Sequence, residues 1–325
     1  MIRSRPSVPG RQRGVALIMA VLMVALATML AVSVASEGYM DQRRTSTVML
    51  VDQAYQMGLG AEALAAQILQ EDEPKTDNLT EAWATPILLP VDEGIGEIKG
   101  HLEDLQGRFN LNNVLNPDGT RSETGLRQFQ RLLELLNLDT RYATITVDWI
   151  DADSNPEFPD GAEDSVYAAQ TPAYLTPNMV ITRTSELMSE VGMKQEDYLK
   201  LEPHIAALPI DSKLNVCTAS GYVLDSLSSP GVTQYSNDLA SLARSRANGC
   251  FPTINDVNTS FGQDTDFKKL VQDNPDYLVE TTRYFRASIL VTLGTAELAL
   301  YSVLDRTSTG ANGRTRVIQR SFGTT

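Results

Sequence analysis

Hydrophobic positions follow a helical rule at the start of the chain and a strand rule at its end. From Val15 to Ser36, 22 residues pass without a charge. As a helix this run rises about 33 Å, enough to cross the hydrocarbon core of a bilayer. No proline follows between Glu37 and Gln70. There AYQMGLGAEALAAQILQ sets Tyr55, Leu59, Ala63 or Leu64, and Ile68 on one stripe. Gly58 and Gly60 weaken helix propensity locally. Residues 15–70 are expected to form one helix about 84 Å long. It should stop near EDEPK, where Pro74 cannot continue it.

The tail shows a different pattern. YFRASILVTLG, TAELALYSVLDRT and RTRVIQRSF are rich in Val, Ile, Leu and Tyr and are separated by Gly294 and by STGANG. They predict an antiparallel meander. GIGEIKGHLEDLQGRFNLN, from Gly94, reads as a strand or bent hairpin. Between these β regions GLRQFQRLLELLNL puts Leu126, Phe129, Leu132, Leu133 and Leu136 on one helical face. SELMSEVGM, EDYLKLEPHIAAL, ASGYVLDSL and NDLASLARSRANG read as short helices with caps and glycine stops. The expected class is α+β: a long N-terminal helix packed on an antiparallel sheet, with a large all-helical insertion domain. The expected division is a leader at 1–14, a transmembrane helix at 15–36, helix and first strands at 37–110, the insertion at 111–275, and C-terminal strands at 276–325.

Composition narrows the functions available. A length of 325 residues allows two packed domains, or one domain with a sizeable insertion. The chain carries 27 basic and 41 acidic residues, a net charge of −14. Nucleic acid is not an expected partner, because phosphate binding needs a basic face. Divalent cations or basic protein surfaces suit an acidic chain better. Arg3, Arg5, Arg11 and Arg13 precede the apolar run with no acid among them. They place the N-terminus in the cytoplasm and the body across the membrane. The two cysteines, Cys217 and Cys250, are then free to pair, in a loop worth about 3 kcal/mol, or to remain as two buried thiols.

The apolar run has three candidate fates. A signal peptide could be cut near Ser33-Val34-Ala35, although its core would exceed the usual ~7–15 residues. An anchor would be kept whole. A leader cut at its front edge would leave the helix on the mature chain.

DWIDADSNPEFPDGAEDSVY is the densest acidic stretch. Asp148, Asp151, Asp153, Glu157, Asp160, Glu163 and Asp164 fall within seventeen residues. Hard cations such as Ca²⁺ take about six to eight oxygens, which a turn-rich loop can supply. The EF-hand template fails, with Pro156 where glycine is required and Ala162 where the bidentate glutamate belongs. A calcium loop of another kind and a plain solvated loop both remain. Paired acids can also serve hydrolysis, but no cleft pattern accompanies them. His101 and His204 lack a serine elbow or zinc-ligand spacing, and GIGEIKG is not a dinucleotide fingerprint. An enzyme is not expected. The competing reading is a membrane-anchored periplasmic calcium-dependent hydrolase or binding protein.

The join Arg-Gln-Arg-Gly14 resembles the leader of type IV prepilins and pseudopilins. That resemblance implies cutting after Gly14 by a prepilin peptidase and a methylated Val15 on a retained helix. Further on, VALIMAVLMVALA, DQAYQMGLGAEALA, LQGRFNLNNVL, DWIDADSNPEFPDGAEDSVY and KLNVCTA resemble the K-type minor pseudopilins of type II secretion systems, the general secretion pathway protein K family. The resemblance implies an inner-membrane, single-pass protein with a periplasmic body. Such a protein caps the tip of a short pseudopilus and nucleates its assembly with I-type and J-type minor pseudopilins, for protein export across the outer membrane. It also implies Ca²⁺ bound by Asp151, Asp153, Glu163 and Asp164, with Asn215 or Thr218 as further ligands. Met19 stands at the fifth position after the cut, where most pilins carry a glutamate that meets a neighbour's amine. A tip subunit has no such neighbour, and an unpaired carboxylate in the bilayer costs about 3 kcal/mol.

Overall fold

The structure, a computed structural model, describes residues 13–72, 75–91, 96–308 and 313–323. The expected leader at 1–14 therefore falls almost wholly outside the described residues. The first helix, α1 (Arg13–Glu71), is 59 residues long and ends just before Pro74, as its sequence requires. Its first half is exposed along its whole length.

The second half of α1 lies on a five-stranded sheet. The buried stripe is Ala54, Gly58, Glu62, Ala65 and Leu69, whereas Ala63 and Leu64 are exposed. This differs by about one residue from the expected Tyr55–Leu59–Ile68 stripe, whose large side chains sit half-buried at the margins. Close approach explains the difference. A Cβ at Gly58 would stand 3.6 Å from Leu298 and Leu300 and 3.8 Å from Val291, so the small-residue face lets the sheet come nearer.

Along the chain come β1 (Ile87–Val91), β2 (Gly96–Asp104), β3 (Phe109–Asn110), β4 (Ile205–Ala206), β5 (Leu214–Asn215), β6 (Leu278–Val279), β7 (Tyr284–Leu293), β8 (Ala296–Ser308) and β9 (Arg314–Phe322). The main sheet has the order β1-β2-β7-β8-β9 with every pair antiparallel, so the tail meander forms as expected. Register sets Ile98 beside Val291 and Leu102 beside Ala287. Alternate residues Phe285, Ala287, Ile289 and Val291 pack with Ala54, Leu69, Trp83 and Leu300 in the core beneath α1.

Between β2 and β7 lies the insertion. Its helices are α2 (Glu123–Leu135), α3 (Arg141–Ile150), α4 (Asp164–Tyr167), α5 (Gln195–Leu201), α6 (Gly221–Asp225), α7 (Leu239–Arg246), α8 (Ile254–Phe261) and α9 (Thr265–Asp273). They share a second core around Phe109, Phe129, Leu132, Leu133, Trp149 and Tyr167. Ser122 caps α2 by accepting from Gly125 N, which fixes where the expected helix begins. The regular structure of the insertion is helical apart from two parallel two-residue pairs, β3 with β4 and β5 with β6, and long turns and loops join the pieces. Cys217 and Cys250 form a disulfide across 33 residues, so the thiol alternative falls away.

The sheet has two ends relative to the helix. Its β7–β8 turn, at Gly294, lies against Leu50. At the other end Arg306 forms ion pairs with Asp72 and Asp77, just past the C-terminus of α1. Asp104 and Tyr284, the residues from which the insertion departs and to which it returns, belong to this second end. The insertion therefore sits at the end of the subunit farthest from the exposed apolar half of α1.

Candidate functional site

The acidic loop begins on α3. This helix is almost entirely buried, although RYATITVDWI is rich in β-branched residues, because tertiary packing outweighs their propensity. Asp148 is fully buried and accepts a hydrogen bond from Glu157 N at 3.0 Å, which folds the loop back on the helix. Gly161 is required at the return: a Cβ there would collide with the Asp148 carboxylate and the Glu157 backbone.

This fold-back brings Asp151, Asp153 and Glu163 together. One carboxylate oxygen from each lies within 4.8 Å of the others. Asp151 Oδ1 and Glu163 Oε1 are buried without a hydrogen-bond partner. Leaving such atoms unpaired costs on the order of 1–3 kcal/mol each. Burial, then the charges of Asp153 and Asp148, pushes Asp151 up to about 6. Burial, then the charges of Asp148 and Asp151, pushes Glu163 up to about 7. Burial also raises Asp148 to about 6, against the Glu157 backbone donor. An all-oxygen anionic donor set of this kind suits a hard divalent cation better than a thiophilic one.

The other expected ligands have partners of their own. Asp164 Oδ1 accepts from Thr176 N at 3.0 Å and from Thr176 Oγ1 at 2.8 Å, so Asp164 borders the cluster and anchors a neighbouring segment. Glu157 pairs with Arg121. Asn215 Nδ2 donates to Asp104 Oδ2 at 2.8 Å and to Thr282 Oγ1 at 2.9 Å, and Thr218 Oγ1 donates to Asp104 at 2.5 Å. Both serve a polar knot at the base of the insertion rather than the acidic loop. Sequence spacing carries no signal for that knot, since Asp104 and Thr282 lie at opposite ends of the insertion.

A second acidic group, Asp72, Asp77 and Glu81, lies beside Arg306, whose guanidinium pairs with both aspartates. A resident cation is thus already supplied by the chain. His204 Nδ1 lies 2.8 Å from Ser220 Oγ, a contact the sequence did not announce. Ser220 caps α6 by accepting from Val223 N, and no carboxylate hydrogen-bonds His204 among the described residues. The pair is a helix cap, without the third member of a catalytic triad.

Comparison with known proteins places this architecture. The family model described as type II secretion system (T2SS), protein K, matches residues 107–210, which include the acidic loop. The type II secretion system protein K of Pseudomonas aeruginosa is 34% identical over 329 residues, covering 96% of this chain and 93% of that protein. The chain belongs to the type II secretion system protein K family. It is a minor pseudopilin, a structural component of the secretion apparatus. The protein K of Klebsiella pneumoniae is 37% identical over 221 residues, covering 64% of this chain and 67% of the relative. A crystal structure described as the GspK-GspI-GspJ complex from enterotoxigenic Escherichia coli shares the fold. Its TM-score is 0.72 at 23% identity, over 87% of this chain and 100% of that one. Gly14–Glu71 is long and apolar enough to cross a membrane, in keeping with a single-pass anchored protein K.

Proposed function

We propose that this protein K caps the tip of the type II secretion pseudopilus. It starts pseudopilus assembly with the I-type and J-type minor pseudopilins, for protein export across the outer membrane. The placement of the insertion carries the reading. The insertion departs from the sheet end beside Asp72, opposite the turn that touches Leu50. In a filament whose subunits are anchored through α1, that end is where the next subunit would stack, and the bulk of the insertion blocks it. The crystal structure sharing this fold contains a K, an I and a J chain, which supports the choice of partners.

Residues 15–36 anchor the protein in the inner membrane, with the N-terminal arginines in the cytoplasm and the body in the periplasm. Prepilin peptidase cuts after Gly14 and leaves a methylated Val15 at the head of a retained helix. The continuity of α1 from Arg13 to Glu71 favours that fate over removal of the apolar run. Asp151, Asp153 and Glu163 hold Ca²⁺, which supplies the positive charge that the buried oxygens of Asp151 and Glu163 lack. Asp164 keeps Thr176 beside them. Calcium has a structural role here, holding the acidic loop against α3.

Intact mass and N-terminal sequence of the protein taken from membranes test the processing step. A methylated chain starting at Val15 is expected. A start near Ser36, or at Met1, would overturn the pseudopilin pathway for this chain.

A further inference from the structure

A segment outside the acidic loop is clamped to it. Between Tyr174 and Asn178 every second side chain is bonded to the insertion. Tyr174 Oη donates to Ser189 O at 2.7 Å. Thr176 Oγ1 donates to Asp164 Oδ1 at 2.8 Å and approaches Glu163 Oε2 at 3.4 Å. Asn178 Nδ2 donates to Asp153 O at 3.0 Å. The segment thus reaches two of the three clustered acids, Glu163 at its side chain and Asp153 at its backbone.

That last bond orients the Asn178 amide. A carbonyl oxygen only accepts, so Nδ2 faces Asp153 O and Oδ1 is the opposite end of the group. Oδ1 is buried and has no hydrogen-bond partner. Asp151 Oδ1 and Glu163 Oε1 are in the same condition, and Glu163 is only 2% exposed. Basic side chains nearby are engaged elsewhere: Arg121 pairs with Glu123 and Glu157, and Arg141 with Asp139. The backbone of Asn178 has φ +46°, in the left-handed region that asparagine and glycine enter most readily. A turn alone would be served by glycine, which leaves the buried amide oxygen unexplained.

We propose that Asn178 Oδ1 is a further ligand of the cation held by Asp151, Asp153 and Glu163. The inference rests on the calcium reading given above. Calcium takes about six to eight oxygens, more than three carboxylates supply when each gives one. Another carboxylate would add repulsion to a site that already holds three, whereas an amide oxygen adds a donor without charge. Asp151 ends α3 and Glu163 precedes α4, so the ion ties both helices to the segment that carries Asn178.

Two substitutions separate a ligand from a strut. Asn178→Gly keeps the left-handed backbone and removes both ends of the amide. Asn178→Asp keeps an oxygen and loses the Nδ2 donor. Calorimetric calcium titration of the detergent-solubilised full chain should give a Kd raised about tenfold or more by Asn178→Gly. Asn178→Asp should bind calcium at least as tightly as the unaltered chain. Unfolding temperatures give a second readout: the rise on replacing chelator by calcium should be full in Asn178→Asp and small in Asn178→Gly. Calcium binding by Asn178→Gly equal to that of the unaltered chain would overturn the proposal. So would equal weakening by both variants, which would leave Asn178 only the task of holding Asp153. An unaltered chain that binds no calcium would remove the site itself, and this inference with it.

Discussion

Glu62 on α1 and Arg320 on the edge strand β9 form a two-point ion pair. Arg320 Nη2 lies 2.7 Å from Oε1 and Nε 2.8 Å from Oε2. Ser302 of β8 also donates to Oε2. Glu62 is only 4% exposed, in the middle of an otherwise small and apolar stripe, so helix, β8 and β9 are joined at one carboxylate.

Arg320→Ala would leave that buried carboxylate with Ser302 alone. A loss of about 2 kcal/mol is expected, below the full ~3–5 kcal/mol of a wholly buried pair because the arginine is half-exposed. Glu62→Gln should cost less, since the neutral amide needs no counter-charge. Thermal unfolding of the detergent-solubilised chain measures both. Equal unfolding temperatures for Arg320→Ala and the unaltered chain would show that the pair contributes nothing.

Long periodic elements were legible in the sequence because many residues vote for each. The extent of α1 follows from its apolar run and Pro74, and the tail meander from three β-rich runs. The face that α1 buries was not legible: hydrophobicity favours Tyr55 and Leu59, whereas the sheet chose Ala54 and Gly58 for their size. Strand β1, ILLPV, contains Pro90 and went unread; it is tolerated because β1 pairs on one side only. Helix α3 went unread because its β-branched residues favour a strand locally. In the acidic loop the residue types were plain. Which carboxylates meet depends on the buried Asp148 turning the loop, a contact nine residues apart that spacing alone does not set.

The acidic loop makes stability depend on pH in a direction that calcium should reverse. Asp148 and Asp151 rise from 3.8 to about 6, and Glu163 from 4.5 to about 7. An acid whose pKa is higher folded than unfolded keeps its proton longer in the fold. These groups therefore cost the metal-free protein stability as pH rises from about 4 to about 7. Calcium in the proposed site would require the deprotonated loop, so its expected benefit is small at pH 5 and full at pH 7.5. At a hundredfold excess over Kd the gain is about 2.7 kcal/mol. Unfolding temperatures in calcium and in chelator, taken across that range, check the sign; identical curves would exclude the cation.

Alanine variants separate ligands from supports. Asp151→Ala and Glu163→Ala should abolish the calcium gain while costing little in chelator, because each removes a carboxylate with an unpaired buried oxygen. Asp164→Ala should instead lose about 1 kcal/mol in both buffers, since it breaks the bonds to Thr176. Calorimetric calcium titration of the three variants distinguishes the two behaviours. Unaltered calcium binding by Glu163→Ala would remove that residue from the site.

The disulfide closes a 33-residue separation, which in the loop-entropy account is worth about 3–4 kcal/mol. Replacing Cys217 and Cys250 together by serine should lower stability by that amount without unfolding the insertion. Arg246 independently holds the same region by donating to the carbonyls of Val216, Ala219 and Phe251. Denaturant unfolding of the double variant, compared with the unaltered protein under reduction, should give matching losses. A much smaller loss would mean that the Arg246 contacts, and not the covalent bond, fix this segment.

Gly58 offers a substitution whose sign depends on size. Its Cβ position lies at ordinary contact distance from Leu298, Leu300 and Val291, and its helix is regular there. Gly58→Ala should therefore stabilise the chain, by up to about 1 kcal/mol of helix propensity, and add a methyl to the seam. Gly58→Leu asks the same gap to hold three more carbons. The strands cannot retreat without breaking the Glu62 contacts one turn away, so a loss of about 1–3 kcal/mol is expected. Thermal unfolding of the two variants decides it. If both raise stability, α1 is not seated as closely on the sheet as the 3.6 Å contacts require.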